Sequence, residues 1–151
     1  LPPTDDEHVR WYRHRAGYMT AFARDLRAEL IAKDMGHVKI AIWVRPNHCL
    51  FDGIDLPTWL DEGLCNEVVA DAYDFSDYAD DGIHGIRPEW KQMVQAKAKL
   101  IRGVNGFDFE MSSELIPKAI EDGYDGVCTY ESDYSVLQRD FIELYDGLRR
   151  K

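Results

Sequence analysis

Two short stretches set an aromatic ring beside carboxylates directly after an apolar run: Asp71-Ala72-Tyr73-Asp74 and Tyr130-Glu131-Ser132-Asp133. Carboxylates gathered at one edge can accept hydrogen bonds from a bound molecule or exchange protons with it. A third stretch, Asn105-Gly106-Phe107-Asp108-Phe109-Glu110, repeats the theme, and a fourth, Arg45-Pro46-Asn47-His48, is polar and cationic. The candidate acids are Asp71, Glu131 and Glu110. The candidate ligand contacts are Arg45, Asn47, His48, Tyr73, Asp74, Tyr130 and Asp133. Each has a plainer reading: Glu110 as a solvated loop acid, Asp133 as a helix N-cap, the tyrosines as core aromatics.

The elements that would position these tips repeat. Leu60-Asp61-Glu62-Gly63-Leu64 and Ile120-Glu121-Asp122-Gly123-Tyr124 both read as a helix end, an acid pair, a glycine stop and an apolar residue. Glycine suits a helix stop because it lacks the Cβ that clashes in the left-handed region. Strands are expected at Val38–Val44, Asn66–Ala72, Lys99–Val104 and Gly126–Tyr130. Each is followed by a helical pattern, a recurrence of about 30 residues that matches a βα unit. Pro57 and Pro88 suit the first turns of two of these helices. Ser112 or Ser113 opens the next, with Pro117 delaying its regular part. Leu137, Phe141, Leu144, Tyr145 and Leu148 mark the last.

Ahead of the first strand, residues 1–4 read as a linker into a capped helix. Gly17 is expected to interrupt that helix. Phe22, Ala23, Leu26 and Leu30 are expected to form its buried stripe, and Gly36 to end it. The fold class is therefore α/β: four βα units preceded by a helix, with residues 1–151 as one domain. A full (β/α)8 barrel takes roughly 250 residues, so this is half a barrel or a small open sheet. In either, the acidic tips share the carboxyl edge, where α/β proteins place their chemistry.

Composition narrows the partners. The 151 residues are 45% hydrophobic and 30% charged, which fits a globular domain. A net charge of -10 argues against nucleic acid. No apolar run approaches the roughly 20 residues of a membrane span. Cys49, Cys65 and Cys128 are an odd set without metal-ligand spacing, so neither a disulfide framework nor a zinc site is expected. The aspartates of residues 74–81 do not match a calcium loop. There is no glycine-rich phosphate loop and no nucleophile elbow, so no cofactor is expected. His8, His14, His37 and His84 are scattered, and Trp43, inside a strand, is expected in the core. The chain opens on Leu1 without a signal peptide, as a piece of a longer protein would.

Gly53-Ile54-Asp55-Leu56, Trp59-Leu60-Asp61-Glu62-Gly63-Leu64, Pro88-Glu89-Trp90-Lys91 and Ala119 to Val127 resemble the C-terminal half of bacterial glycoside-hydrolase-like (β/α)8 barrel proteins. These are related to the alpha-amylase and beta-galactosidase types of barrel. The shared phrases belong to the scaffold and carry no catalytic signature. The resemblance implies that the four strands are the fifth to eighth of a barrel, and that a carbohydrate binds at their tips. It also implies that an acid/base at the end of the fourth strand lies outside this chain. Glycoside hydrolysis needs two carboxyls, about 5 Å apart for retention and farther for inversion. In that setting Glu110 matches a nucleophile position, and Tyr73 and Tyr130 could stack on sugar rings. A half-barrel would also expose two sheet edges, which invites a homodimer.

Overall fold

The computed structural model describes residues 6–71, 86–105, 109–130 and 139–149. The elements, in chain order, are α1 (Asp6–Ala32), β1 (Ala41–Val44), α2 (Leu56–Asp61), β2 (Glu67–Ala70), α3 (Pro88–Gln95), β3 (Lys99–Asn105), α4 (Phe109–Glu121), β4 (Gly126–Tyr130) and α5 (Arg139–Arg149). The four strands form one sheet in the order β1-β2-β3-β4. All three pairings are parallel, in the registers Trp43↔Val69, Val69↔Ile101 and Gly103↔Cys128. The α/β class and the alternation of strands with helices are as the sequence led us to expect. No helix among the described residues is long and apolar enough to cross a membrane.

The two repeated helix stops are built alike. Gly63 and Gly123 have φ of 65° and 78°. The Gly63 N–H donates to Leu60 O at 3.3 Å and the Leu64 N–H to Trp59 O at 2.9 Å; the Gly123 and Tyr124 N–H groups repeat this with Ile120 and Ala119, both at 3.0 Å. This is the six-to-one and five-to-two pattern of a Schellman stop. The residue after each glycine, Leu64 or Tyr124, is buried and staples the turn to the core. α1 ends in the same way, with Asp34 in the left-handed position at φ 59°. Asp34 and Met35 N–H donate to Ile31 and Leu30 O at 3.1 and 2.7 Å. The stop therefore falls two residues before Gly36.

A second device sets the strand register. Asn66 Oδ1 accepts the Ile40 N–H at 3.0 Å, while the Asn66 N–H donates to Ile40 O at 2.8 Å. Asp125 does the same to Leu100: its Oδ2 accepts the Leu100 N–H at 2.8 Å, and its own N–H donates to Leu100 O at 2.8 Å. Each pair sits one residue ahead of the first ladder pair on its strand, Ala41↔Glu67 or Ile101↔Gly126.

Side chains alternate along each strand. Val44, Val68, Ala70 and Leu100 share one buried cluster with Ala23 of α1, Trp59 and Leu60 of α2, Val94 of α3 and Ala119 of α4. Val104 continues this face beneath Leu115 and Ile116 of α4. The described helices that join these clusters thus cover the same face. Trp43, Val69, Ile101, Gly103 and Tyr130 alternate onto the other.

α1 departs from the expected pattern. It runs unbroken through Gly17, where a Cβ would meet nothing within 4 Å. Its buried residues are Ala16, Thr20 and Ala23, whereas Phe22 is 61% and Leu26 37% exposed. Small side chains allow close approach, and polar anchors choose the face. The Trp59 indole N–H donates to Thr20 Oγ1 at 3.0 Å. Arg24 Nε donates to Glu62 Oε2 at 2.6 Å, and Arg27 donates to Val38 O, Gly63 O and Asn66 Oδ1 at 3.2, 3.2 and 2.8 Å. α4 also begins earlier than Ser112, and Pro117 lies within it.

The three matched stops make a comparison of residues in one conformation. An L side chain in the left-handed region costs about 1–2 kcal/mol. Gly63→Ala and Gly123→Ala should each lower unfolding stability by about 1 kcal/mol, whereas Asp34→Gly should raise it. Urea unfolding followed by circular dichroism measures all three.

Candidate functional site

Arg45, Asp71 and Tyr130 stand at the carboxyl ends of β1, β2 and β4, and the Asp71 charge acts on Arg45. Arg45 follows Val44 directly, and Asp71 follows Ala70, its partner across the ladder. The Asp71 N–H donates to Val44 O at 2.8 Å, so its backbone is held as an extension of β2. By alternation its side chain belongs with Val69, on the face away from the helices. Asp71 Oδ1 is buried and has no hydrogen-bond partner among the described residues. A buried acceptor left unpaired costs about 1–3 kcal/mol, so Asp71 is poised to receive a donor.

Arg45 is fixed beside it. Its Nε donates to Asp52 Oδ2 at 3.0 Å, and its Nη2 meets Asp52 Oδ1, making a fork-on-fork pair. Its guanidinium carbon lies 5.6 Å from the centre of the Phe51 ring. The hydrogen bond that Arg45 donates to Asp52 raises its pKa above the ordinary value, and the Asp71 charge adds to this. The rim thus carries a permanent cation and a carboxylate oxygen with unused capacity.

The other sequence candidates separate. Asn47 lines a cleft of about 320 Å³ with Arg13, Cys49, Ile54, Trp90 and Met93, between α1, the loop after β1 and α3. The His48 ring meets Phe51 edge-on, with centroids 6.0 Å apart, and Phe51 also packs at 5.1 Å from Tyr12 of α1. His48 therefore joins an aromatic cluster that ties the loop to α1. Glu110 is exposed in the first turn of α4, where a carboxylate suits the positive end of the helix dipole. Its carbonyl accepts the Ser113 hydroxyl at 2.8 Å. Tyr73, Asp74, Glu131 and Asp133 lie outside the described residues.

Three residues escaped the sequence reading. Trp43 is 37% exposed on the uncovered face, and its ring lies 6.1 Å from that of Tyr130. The signal was present: Ile42 and Val44 alternate inward, which turns Trp43 outward. Asp52 lies in a loop, and nothing in its neighbours announces an ion pair with Arg45. Arg102 is fully buried in β3, with its guanidinium carbon 5.9 Å from the Tyr124 ring centre. Only its even-numbered place in the strand points inward.

The cysteines offer no nucleophile at neutral pH. Burial pushes the Cys49 thiol up to about 12, although a hydrogen bond from Trp90 opposes the shift. Burial pushes Cys65 up to about 11 against the opposing charge of Arg27, and it also raises Cys128. Cys49 Sγ instead donates to Arg45 O at 3.4 Å.

No protein-family model matches this chain, and no curated protein is significantly similar to it.

The thiols give a pH test. The folded state favours their neutral form, so stability is whole below the ordinary thiol value near 9.0 and falls as pH climbs toward about 12. The thermal unfolding midpoint should drop across pH 9 to 11. Cys49→Ala should make that drop shallower.

Proposed function

We propose that this chain is four consecutive units of a glycoside-hydrolase-like (β/α)8 barrel, its C-terminal half, and that its carboxyl edge contributes to a carbohydrate site. The strand order supports this. A doubly wound sheet reverses its order and carries helices on both faces. Here the order is sequential and parallel, and the helices in the main buried cluster lie on one face. The uncovered face then corresponds to the inside of a barrel.

The observation that carries the carbohydrate reading is Asp71. A buried carboxylate oxygen at the strand tips, without a hydrogen-bond partner among the described residues and with a fixed arginine beside it, suits a ligand that offers hydroxyl hydrogens. Asp71 accepts from the sugar, and Arg45 donates or balances charge. In the catalytic version Asp71 and Glu131, with Glu110, supply acid, base or nucleophile, and residues outside this chain complete the reaction. A non-catalytic carbohydrate-binding domain is the second reading. It is favoured by the placement of Glu110, exposed in the first turn of α4, where its carboxylate suits the helix dipole.

Titration calorimetry with a panel of oligosaccharides tests the site. Asp71→Asn should weaken binding by about tenfold with the fold intact, as loss of one charged hydrogen bond would. Unchanged affinity removes Asp71 from the site. Turnover of aryl glycosides by this chain, lost in Glu131→Gln, would place the reaction within it and retire the binding-only reading.

The same reading predicts self-association. Among the described residues β1 and β4 are each paired on one side only, and exposed parallel edges recruit other strands. A two-fold dimer joining β1 of one copy to β4 of the other closes the ring. Light scattering across a dilution series should report a dimer; a monodisperse monomer at every concentration overturns it.

A further inference from the structure

An amphipathic helix ordinarily buries its large apolar residues. α1 does the reverse. Ala16, Thr20 and Ala23 face the fold, while Trp11, Tyr18 and Phe22 are more than half exposed and Met19 and Leu26 more than a third. At 3.6 residues per turn these five side chains share one stripe about 100° wide, on the side away from Thr20. At about 200 Å² for a large side chain, the five expose roughly 500 Å². A patch of that size on one helix marks an interaction surface. Some of its rings are already ordered. Trp11, His14 and Tyr18 touch in series, with centroids 6.0 and 5.0 Å apart, so less freedom is lost when a partner arrives.

The charges on the stripe choose that partner. Arg15 lies between Trp11 and Tyr18, Glu29 lies beyond Leu26, and Lys33 follows one turn later, ion-paired to Glu29 at 3.4 Å. Arg15 and Glu29 stand seven residues to either side of Phe22, and Trp11 and Lys33 stand eleven to either side. We infer that α1 pairs antiparallel with α1 of a second copy of this chain, about a two-fold axis at Phe22. Phe22 then packs on the partner's Phe22, and Tyr18 on the partner's Leu26. Arg15 meets the partner's Glu29, and Trp11 offers its ring face to the partner's Lys33. The surface is self-complementary, as a two-fold contact requires. A parallel pair would set arginine against arginine and glutamate against glutamate. An anionic lipid surface would be repelled by Asp25 and Glu29. Eleven residues make almost exactly three turns, so the stripe keeps to one side over roughly 33 Å from Trp11 to Lys33. Two copies bring together roughly 1,000 Å² before the charged ends are added, which reaches the size of a specific interface. The stripe belongs to neither strand edge, and the inference does not rest on the carbohydrate reading.

Sedimentation equilibrium of the 151-residue chain over a dilution series tests the pairing, with circular dichroism as the check on folding. Phe22→Glu sets two like charges on the axis and should halve the mass found for the wild type. Arg15→Glu and Glu29→Arg should each weaken association about tenfold or more, because the symmetry repeats each changed contact. Mixing these two variants should restore most of the association, since each then offers the charge that the other lacks. Positions 15 and 29 are about 21 Å apart along one helix, so contact within a copy cannot give that rescue. A mass unchanged in Phe22→Glu overturns the pairing and leaves the sheet-edge prediction standing. A mixture that fails to associate overturns the antiparallel register. A wild type that is monomeric at every concentration overturns both interfaces; if phosphatidylserine vesicles then carry down the wild type but not Phe22→Glu, the stripe is a lipid contact instead.

Discussion

The strand register rests on two reciprocal clamps. Asn66 grips Ile40, and Asp125 grips Leu100, each through a side-chain oxygen and a backbone N–H. They act where a parallel strand begins, before any ladder bond can set the register. A slip of one residue would turn every side chain to the opposite face. Val44, Val68 and Leu100 would then face water, and Trp43 and Asp71 would be driven under the helices. Arg27 strengthens the first clamp by donating to the same Asn66 oxygen, which ties α1 to the β1–β2 joint. The clamps therefore hold both the core and the candidate site in place.

One-sided cover follows from order and alternation. Sequential parallel strands with crossovers of one hand place their helices on one face. The buried cluster draws on α1 to α4, all against the even-numbered residues of β1, β2 and β3. The other face is left with an exposed tryptophan, an exposed tyrosine and a carboxylate oxygen without a hydrogen-bond partner among the described residues. Each departs from what stability alone favours. α1 adds a further apolar surface, since Trp11, Tyr18 and Phe22 are all more than half exposed while its small residues face the core.

Much of the scaffold was legible. Gly63 and Gly123 marked helix stops because their positive φ favours glycine at that point. Lys99 to Val104 and Gly126 to Tyr130 read as strands from their β-branched content, and the ladder agrees with them closely. Less legible was which way a side chain faces. Trp43 looked like core because it is large and lies in a strand, yet alternation turned it outward. Phe22 and Leu26 looked like the packed stripe of α1, but Thr20, by bonding Trp59, chose a face of small residues. Asp34 took a left-handed turn that its neighbour Gly36 seemed to claim. Hydrophobic size is a local property, whereas the buried face depends on the partner element.

Local chemistry by itself determined the α/β class and the helix stops at Gly63 and Gly123. Turn residues, strand content and recurrence along the chain carry that information without reference to distant parts. The tertiary structure alone decided that Arg45 pairs with Asp52, that the Asp71 Oδ1 is buried without a hydrogen-bond partner among the described residues, and that a tryptophan on β1 lies across Gly103 of β3. Those are relations between elements up to 60 residues apart. They exist only once the sheet register has been set, because reach and orientation across strands are written in no single segment.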